Sequence, residues 1–213
     1  MAERRTFTET ARRDQIVRAA IETLAELGYA GTSLGKIART AGLSSVGMIS
    51  YYFTDKAELM AEVASSVLAH AEEVVGPEIV RAPDPVAKLR AYIEASLAYI
   101  GEHRAEAVAL IELTRGPGAT PLMAQVDAAS AEVITRLVVG AQAVLGGTEP
   151  LEPRIVAMTV RGAINNAVWQ SLHRGPDSDS AEDLARDGRQ IAGLIERSLR
   201  ADPLPEGEPC DRP

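Results

Sequence analysis

Apolar residues recur every three or four positions along nearly the whole chain and almost nowhere alternate strictly, a period that lays one stripe on a helix and predicts an all-α fold. Ile16, Ala20, Leu24 and Leu27 form the first stripe, which stops at Gly28, a residue suited to the left-handed conformation that ends helices. A short second helix follows, capped by Thr32 or Ser33, with Leu34, Ile37, Ala38 and Ala41 on one face and Gly42 at its end. Ser44 or Ser45 could cap a third, whose inward residues are Ile49 and Phe53, four apart. The fourth begins at Asp55, which has capping-box spacing to Glu58, and runs on Leu59, Val63, Val67, His70 and Val74. Further stripes predict helices over 85–103, 104–115, 121–145, 152–174 and 180–200, separated by the proline- and glycine-rich breaks "APDP", "RGPGATP", "GGTEPLEP" and "RGPDSDS".

Charge divides the chain. Residues 1–56 hold eight Lys+Arg against six Asp+Glu, a net +2, whereas the whole chain carries −8, so the remainder carries −10. A basic end on an acidic body is drawn to a polyanion in one orientation. The pattern suggests a flexible arm at 1–10, a small three-helix domain at 11–56, a larger helical domain at 57–201 and a disordered tail at 202–213. No run of about 18 uncharged apolar residues and no apolar core in "MAERRTFTET" suggests a membrane span or leader, so a cytoplasmic protein with no membrane partner is expected. The single cysteine, Cys210, excludes an internal disulfide and a multi-cysteine metal site.

Two short helices joined by a tight glycine turn form a helix-turn-helix, whose second helix can enter a DNA major groove. With Ile49 and Phe53 inward, Ser45, Val46, Met48, Ser50, Tyr51 and Tyr52 face outward, where hydroxyls and methyl groups reach base edges and tyrosines reach phosphates. Lys56 opposes its helix dipole by roughly 0.3–1 kcal/mol unless an anion is near. Since free amides at helix N-termini bind phosphate, Thr32, Ser33 and Lys36 on one side and Lys56 on the other read as two phosphate clamps. Arg4 and Arg5 read as solvated charges on a terminus.

The segment "TLAELGYAGTSLGKIARTAGLSSVGMISYYFTDKAELMAEV" resembles the DNA-binding domain of TetR-family transcriptional regulators. The matching elements are Gly28-Tyr29, Thr32, Ile37-Ala38, Ala41-Gly42-Leu43-Ser44, Gly47, Tyr52-Phe53 and Lys56 with Leu59. Between Gly42 and Gly47 stand Leu43, Ser44, Ser45 and Val46, one residue more than the family's usual pattern, and Ser50 takes a place that is often tyrosine. The resemblance implies a homodimer that binds a near-palindromic double-stranded DNA operator and is released by a small-molecule effector. The DNA-binding set is then Thr32, Ser33, Lys36, Ser44, Ser45, Val46, Gly47, Met48, Ser50, Tyr51, Tyr52 and Lys56.

Beyond residue 57 the pattern is less specific. A pocket with apolar walls and a few polar groups could draw on Tyr92, Tyr99, Glu112, Met123, Asn165, Asn166, Trp169 and Gln170, with the amide-rich "RGAINNAVWQSLH" as its centre. Glu112 and Arg115 have the spacing of a surface pair on one helix. Leu184, Gly188, Ile191, Ala192, Ile195 and Leu199 make a narrow seam suited to a partner helix or to packing within the monomer, and residues 152–200 are expected to join two copies, as the resemblance implies. His70, His103 and His173 are far apart and lack ligand spacing; no metal and no cofactor is expected. No nucleophile motif or phosphate loop is present, so no enzymatic activity is expected. The rival reading is a helical enzyme or ligand carrier with a non-functional helix-turn-helix.

Overall fold

The computed structural model describes residues 7–114, 119–145, 151–173 and 180–200, and every regular element among them is an α-helix. The order is α1 (Phe7–Gly31), α2 (Leu34–Thr40), α3 (Gly47–Tyr52), α4 (Lys56–Arg81), α5 (Pro85–Glu102), α6 (Arg104–Leu113), α7 (Ala119–Leu145), α8 (Pro153–His173) and α9 (Ser180–Arg200). The helices predicted from periodicity are all present. Helix α1 starts at Phe7, so residues 7–10, expected as part of a flexible arm, are helical.

Two compact units result, Met1–Val74 with Tyr99–Asp127, and Val75–Ala98 with Ala128–Pro213. The first combines the three-helix segment with most of α4, the end of α5, α6 and the start of α7. Its core is Ile16, Ala20, Leu24, Ile37, Ile49, Phe53, Leu59 and Val63, joined by Ala109 and Leu113 from α6. Burying each large aliphatic side chain stabilises the unit by about 1.5–3 kcal/mol, which fixes the rotation of every short helix. Leu27, expected inward, is 40% exposed instead, because the regular helix ends one residue later.

Glycines set both ends of the turn system. Gly28 has φ 68° and ψ 173°, a conformation closed to other residues, and breaks α1 where predicted. Gly42, at φ 65°, ends α2 in a paired arrangement: its N–H donates to Arg39 O at 3.0 Å and the next N–H, of Leu43, to Ala38 O at 2.8 Å. At the start of α4 Asp55 caps as its spacing to Glu58 predicts, while Glu58 reaches back one residue further, to Thr54. Asp55 Oδ1 accepts from Glu58 N at 2.8 Å, while Glu58 Oε2 accepts from the backbone N and the hydroxyl of Thr54, at 2.7 and 2.8 Å.

In the second unit α8 packs on α9, with Val156, Val160, Ile164 and Val168 buried on one face of α8 and Leu184, Ala192, Ile195 and Leu199 on one face of α9. Ala128–Leu145 is long and apolar enough by composition to cross a membrane, although Glu132 and Arg136 interrupt it, so it is not an uncharged apolar run. Its Ile134, Val138 and Ala141 are fully buried in the unit, and Glu132 and Arg136 lie one turn apart at 3.9 Å. One apolar face thus points inward, while Val139 and Val144 on other faces are exposed.

Candidate nucleic-acid interface

Helix α3 is six residues long and carries its own anchor and its own outer face. Ile49 is fully buried and Phe53 nearly so, as the four-residue spacing predicts. Ser44, Ser45, Val46, Gly47, Ser50 and Tyr51 are exposed, Tyr51 by 74%, and Met48 and Tyr52 are half-buried. The outer face therefore offers hydroxyls, a thioether, a small aliphatic group and an exposed phenol. Tyr51 and Tyr52 meet edge to face, ring centroids 4.9 Å apart, which limits how far either ring can swing.

The start of α3 differs from expectation. Neither Ser44 nor Ser45 caps it with a side chain: the turn closes through backbone bonds from Met48 N to Ser45 O and from Ile49 N to Val46 O, at 3.3 and 2.9 Å. Ser44 Oγ lies 3.5 Å from Met48 Sδ instead. With four residues between Gly42 and Gly47, Val46 adopts helical angles and takes the cap position, so both serine side chains are left at the surface.

Two expected phosphate contacts have internal roles. Thr32 is buried, and its hydroxyl donates to Gly28 O at 2.7 Å, closing the end of α1. Ser33, not Thr32, caps α2, its side chain accepting from Lys36 N at 3.3 Å. Lys56 Nζ donates to Thr32 O at 2.7 Å and Tyr29 O at 3.2 Å and lies 4.1 Å from the centre of the Tyr29 ring. These carbonyls and the ring supply the negative charge that a phosphate was expected to bring, and partial burial holds the ammonium pKa below its ordinary value. Lys36 is exposed, with Nζ donating to Gly31 O at 2.8 Å, and stays available to an anion through its other donors.

Sequence reasoning missed the residue that fixes the end of α3. Arg13 is buried on α1; it donates to Tyr52 O at 2.5 Å, pairs with Glu62 at 3.1 Å and lies over the Phe53 ring at 4.1 Å. A buried guanidinium with each of these partners ties α1, α3 and α4 together. Its sequence signal was an arginine one turn before Val17 on the apolar side of an amphipathic helix. Gln15 likewise donates to Ala41 O at 2.7 Å, holding the end of α2.

Of the residues proposed for an effector pocket, Tyr99 and Glu112 belong to the first unit and Tyr92, Asn165, Asn166, Trp169 and Gln170 to the second. Asn165, Asn166, Trp169 and Gln170 all lie on the exposed face of α8, because Ile164, Ala167 and Val168 take the inward one. Glu112 accepts from Tyr29 N at 2.9 Å; Arg115, its expected surface partner, and the side chain of Met123 lie outside the described residues. Tyr92 is half-buried in the second unit beside Ser96, and burial raises its pKa despite the nearby Arg161 charge. Tyr99 is buried in the first unit, its hydroxyl donating to Glu106. The α9 seam is likewise spent inside the chain: Leu184, Gly188, Ala192, Ile195 and Leu199 are buried and only Ile191 is partly open. A Cβ at Gly188 would stand 3.3 Å from Glu94 Cα, so the close approach expected of a partner is made by α5.

Residues 16–63 match the model of the family described as bacterial regulatory proteins, tetR family. The HTH-type transcriptional regulator BetI of Stenotrophomonas maltophilia is 37% identical over 87 residues, 40% of this chain and 44% of that protein. The match thus spans less than half the length of that curated relative. Among solved structures, the fatty acid degradation regulator FadR of Bacillus halodurans superposes with a TM-score of 0.76 at 18% identity, covering 91% of this chain and 96% of that one. The transcriptional regulator FadR of Bacillus subtilis, in complex with stearoyl-CoA, gives 0.73 at 20% identity over 85% and 96%. These two share the fold with the chain along nearly its whole length.

Proposed function

We propose, from the premise that residues 16–63 form a tetR-family N-terminal domain, that the protein is a ligand-responsive, dimeric repressor of transcription that binds a near-palindromic DNA operator. The observation that carries this reading is the two-sided α3: Ile49 and Phe53 anchor it while Ser50, Tyr51 and the Ser44–Gly47 segment stand in solvent. A face of small hydroxyls and an exposed phenol fits base edges and phosphates, and Met48 fits a thymine methyl. Tyr52, Ser33 and Lys36 flank that face and suit the backbone.

Dimerisation is assigned to the outer sides of α8 and α9. Ile155, Met158 and Trp169 are exposed along one side of α8 with Gly162 between them, where a Cβ would meet nothing within 4 Å. Leu194 adds a 60% exposed side chain on α9. An exposed apolar row of this kind needs covering, and a two-fold axis covers it with its own copy. Two α3 helices would then enter major grooves about 34 Å apart. A small-molecule effector releases such a dimer only by binding better to a geometry that no longer matches the groove spacing.

Selection of bound sequences from random duplex DNA tests the reading. An enriched palindrome, with affinity falling steeply as salt rises, is expected; salt-insensitive binding with no enriched sequence overturns it.

A further inference from the structure

We propose that His70, His103 and Glu106 form a site for one divalent transition-metal ion of the zinc and cobalt class. His70 comes from α4, His103 from the residue before α6 and Glu106 from the first turn of α6, all within the first compact unit. One ligand atom from each lies within 4.8 Å of the others. His70 Nδ1 stands 3.1 Å from both carboxylate oxygens of Glu106, close to the edge of about 3.4 Å that a tetrahedron with bonds near 2.0–2.1 Å requires. The His103 ring centre is 4.7 Å from that of His70, and all three residues are partly exposed, so rotation of the imidazoles closes the remaining gap without opening the core.

Two imidazoles and a carboxylate select an ion that accepts nitrogen, against calcium or magnesium, which take oxygen. The outer partner such sites need is also present. Tyr99, itself buried, donates its hydroxyl to Glu106 Oε2 and so helps to hold the carboxylate against His70. Three protein ligands leave the fourth position to water or a small anion.

The helices that supply the ligands also hold the turn before α2. Lys56, on the first turn of α4, donates to Tyr29 O and Thr32 O, and Glu112, near the end of α6, accepts from Tyr29 N. An ion bound at His70, His103 and Glu106 therefore sets the spacing of α4 and α6 at one end while both grip the DNA-binding segment at the other. The site stands without the regulator reading; this coupling rests on it.

The test uses the full chain, stripped with EDTA and titrated with Co²⁺ alone, read by visible absorption and by displacement with Zn²⁺. One ion per chain with tetrahedral bands is expected, weakened at least about tenfold in His103→Ala, His103→Gln and Tyr99→Phe with helix content unchanged. Sub-stoichiometric binding, or binding unaltered in both His103 variants, overturns the site. Affinity for a selected duplex is then measured on stripped and Co²⁺-loaded chain, with a change of about fivefold or more expected. A chain that loads Co²⁺ at the site and binds no duplex in either state overturns the regulator reading alone; one that binds duplex equally in both states overturns the coupling.

Discussion

Glu112 and Tyr29, 83 residues apart in sequence, are joined by a 2.9 Å hydrogen bond from the Tyr29 amide to the Glu112 carboxylate. The bond falls where Gly28 has interrupted α1, so an amide that has left the helical ladder finds its acceptor on α6. A cap supplied from another helix makes the α1–α2 turn dependent on tertiary structure. Removing the acceptor leaves a partly buried amide unsatisfied, at a cost of about 1–3 kcal/mol.

The two left-handed glycines should separate by environment. Gly42→Ala meets open space and carries only the backbone penalty of about 1–2 kcal/mol. Gly28→Ala adds a Cβ 2.9 Å from Glu112 Oε2 in a conformation nearly closed to alanine, so thermal denaturation should show the larger loss there. Equal losses would remove the argument that Glu112 closes over Gly28.

Lys36 and Lys56 should part company in DNA binding. Lys36→Ala is expected to leave the melting temperature unchanged and to reduce the slope of log affinity against log salt by about 0.9, the signature of one lost phosphate contact. Lys56→Ala should lower the melting temperature, since Thr32 O and Tyr29 O lose their donor. Ser50→Ala should change which sequence is enriched rather than the salt slope.

Opposite faces of α9 and α8 should respond differently to charge. Trp169→Asp with Leu194→Asp is expected to convert a dimer to a folded monomer in light scattering, because both side chains are exposed in the single chain. Ile195→Asp should instead unfold the second unit, placing a carboxylate where 5% of the residue is exposed.

Acid should weaken the contact between α5 and α9. Hydrogen bonds from Arg90 and then Arg200 hold the Glu196 carboxyl below its ordinary range, with Arg200 Nη2 at 2.7 Å. A carboxylate whose pKa is depressed on folding stabilises the fold above its unfolded value and loses that contribution as pH falls through the folded one. Wild type should therefore exceed Glu196→Gln in urea unfolding by about 1 kcal/mol or less at pH 7, and the difference should shrink below about pH 4.5. A difference that grows on acidification would reverse the assigned sign.

Much of this protein follows from local pattern. The 3.6-residue stripe decides where helices run, glycine decides where α1 and α2 stop, and the four-residue step from Ile49 to Phe53 decides which side of α3 faces out, because each depends only on neighbours along the chain. The third dimension decided what a side chain meets across the fold. Thr32 and Lys56 look like surface groups until the end of α1 is folded against them, and the α9 seam looks open until α5 lies on Gly188. His70 and His103 show no ligand spacing in sequence, yet α4 and the α5–α6 junction bring their rings to 4.7 Å. Periodicity encodes the face of a helix, whereas the partner of that face is set by packing between segments far apart in sequence, and no local spacing records it.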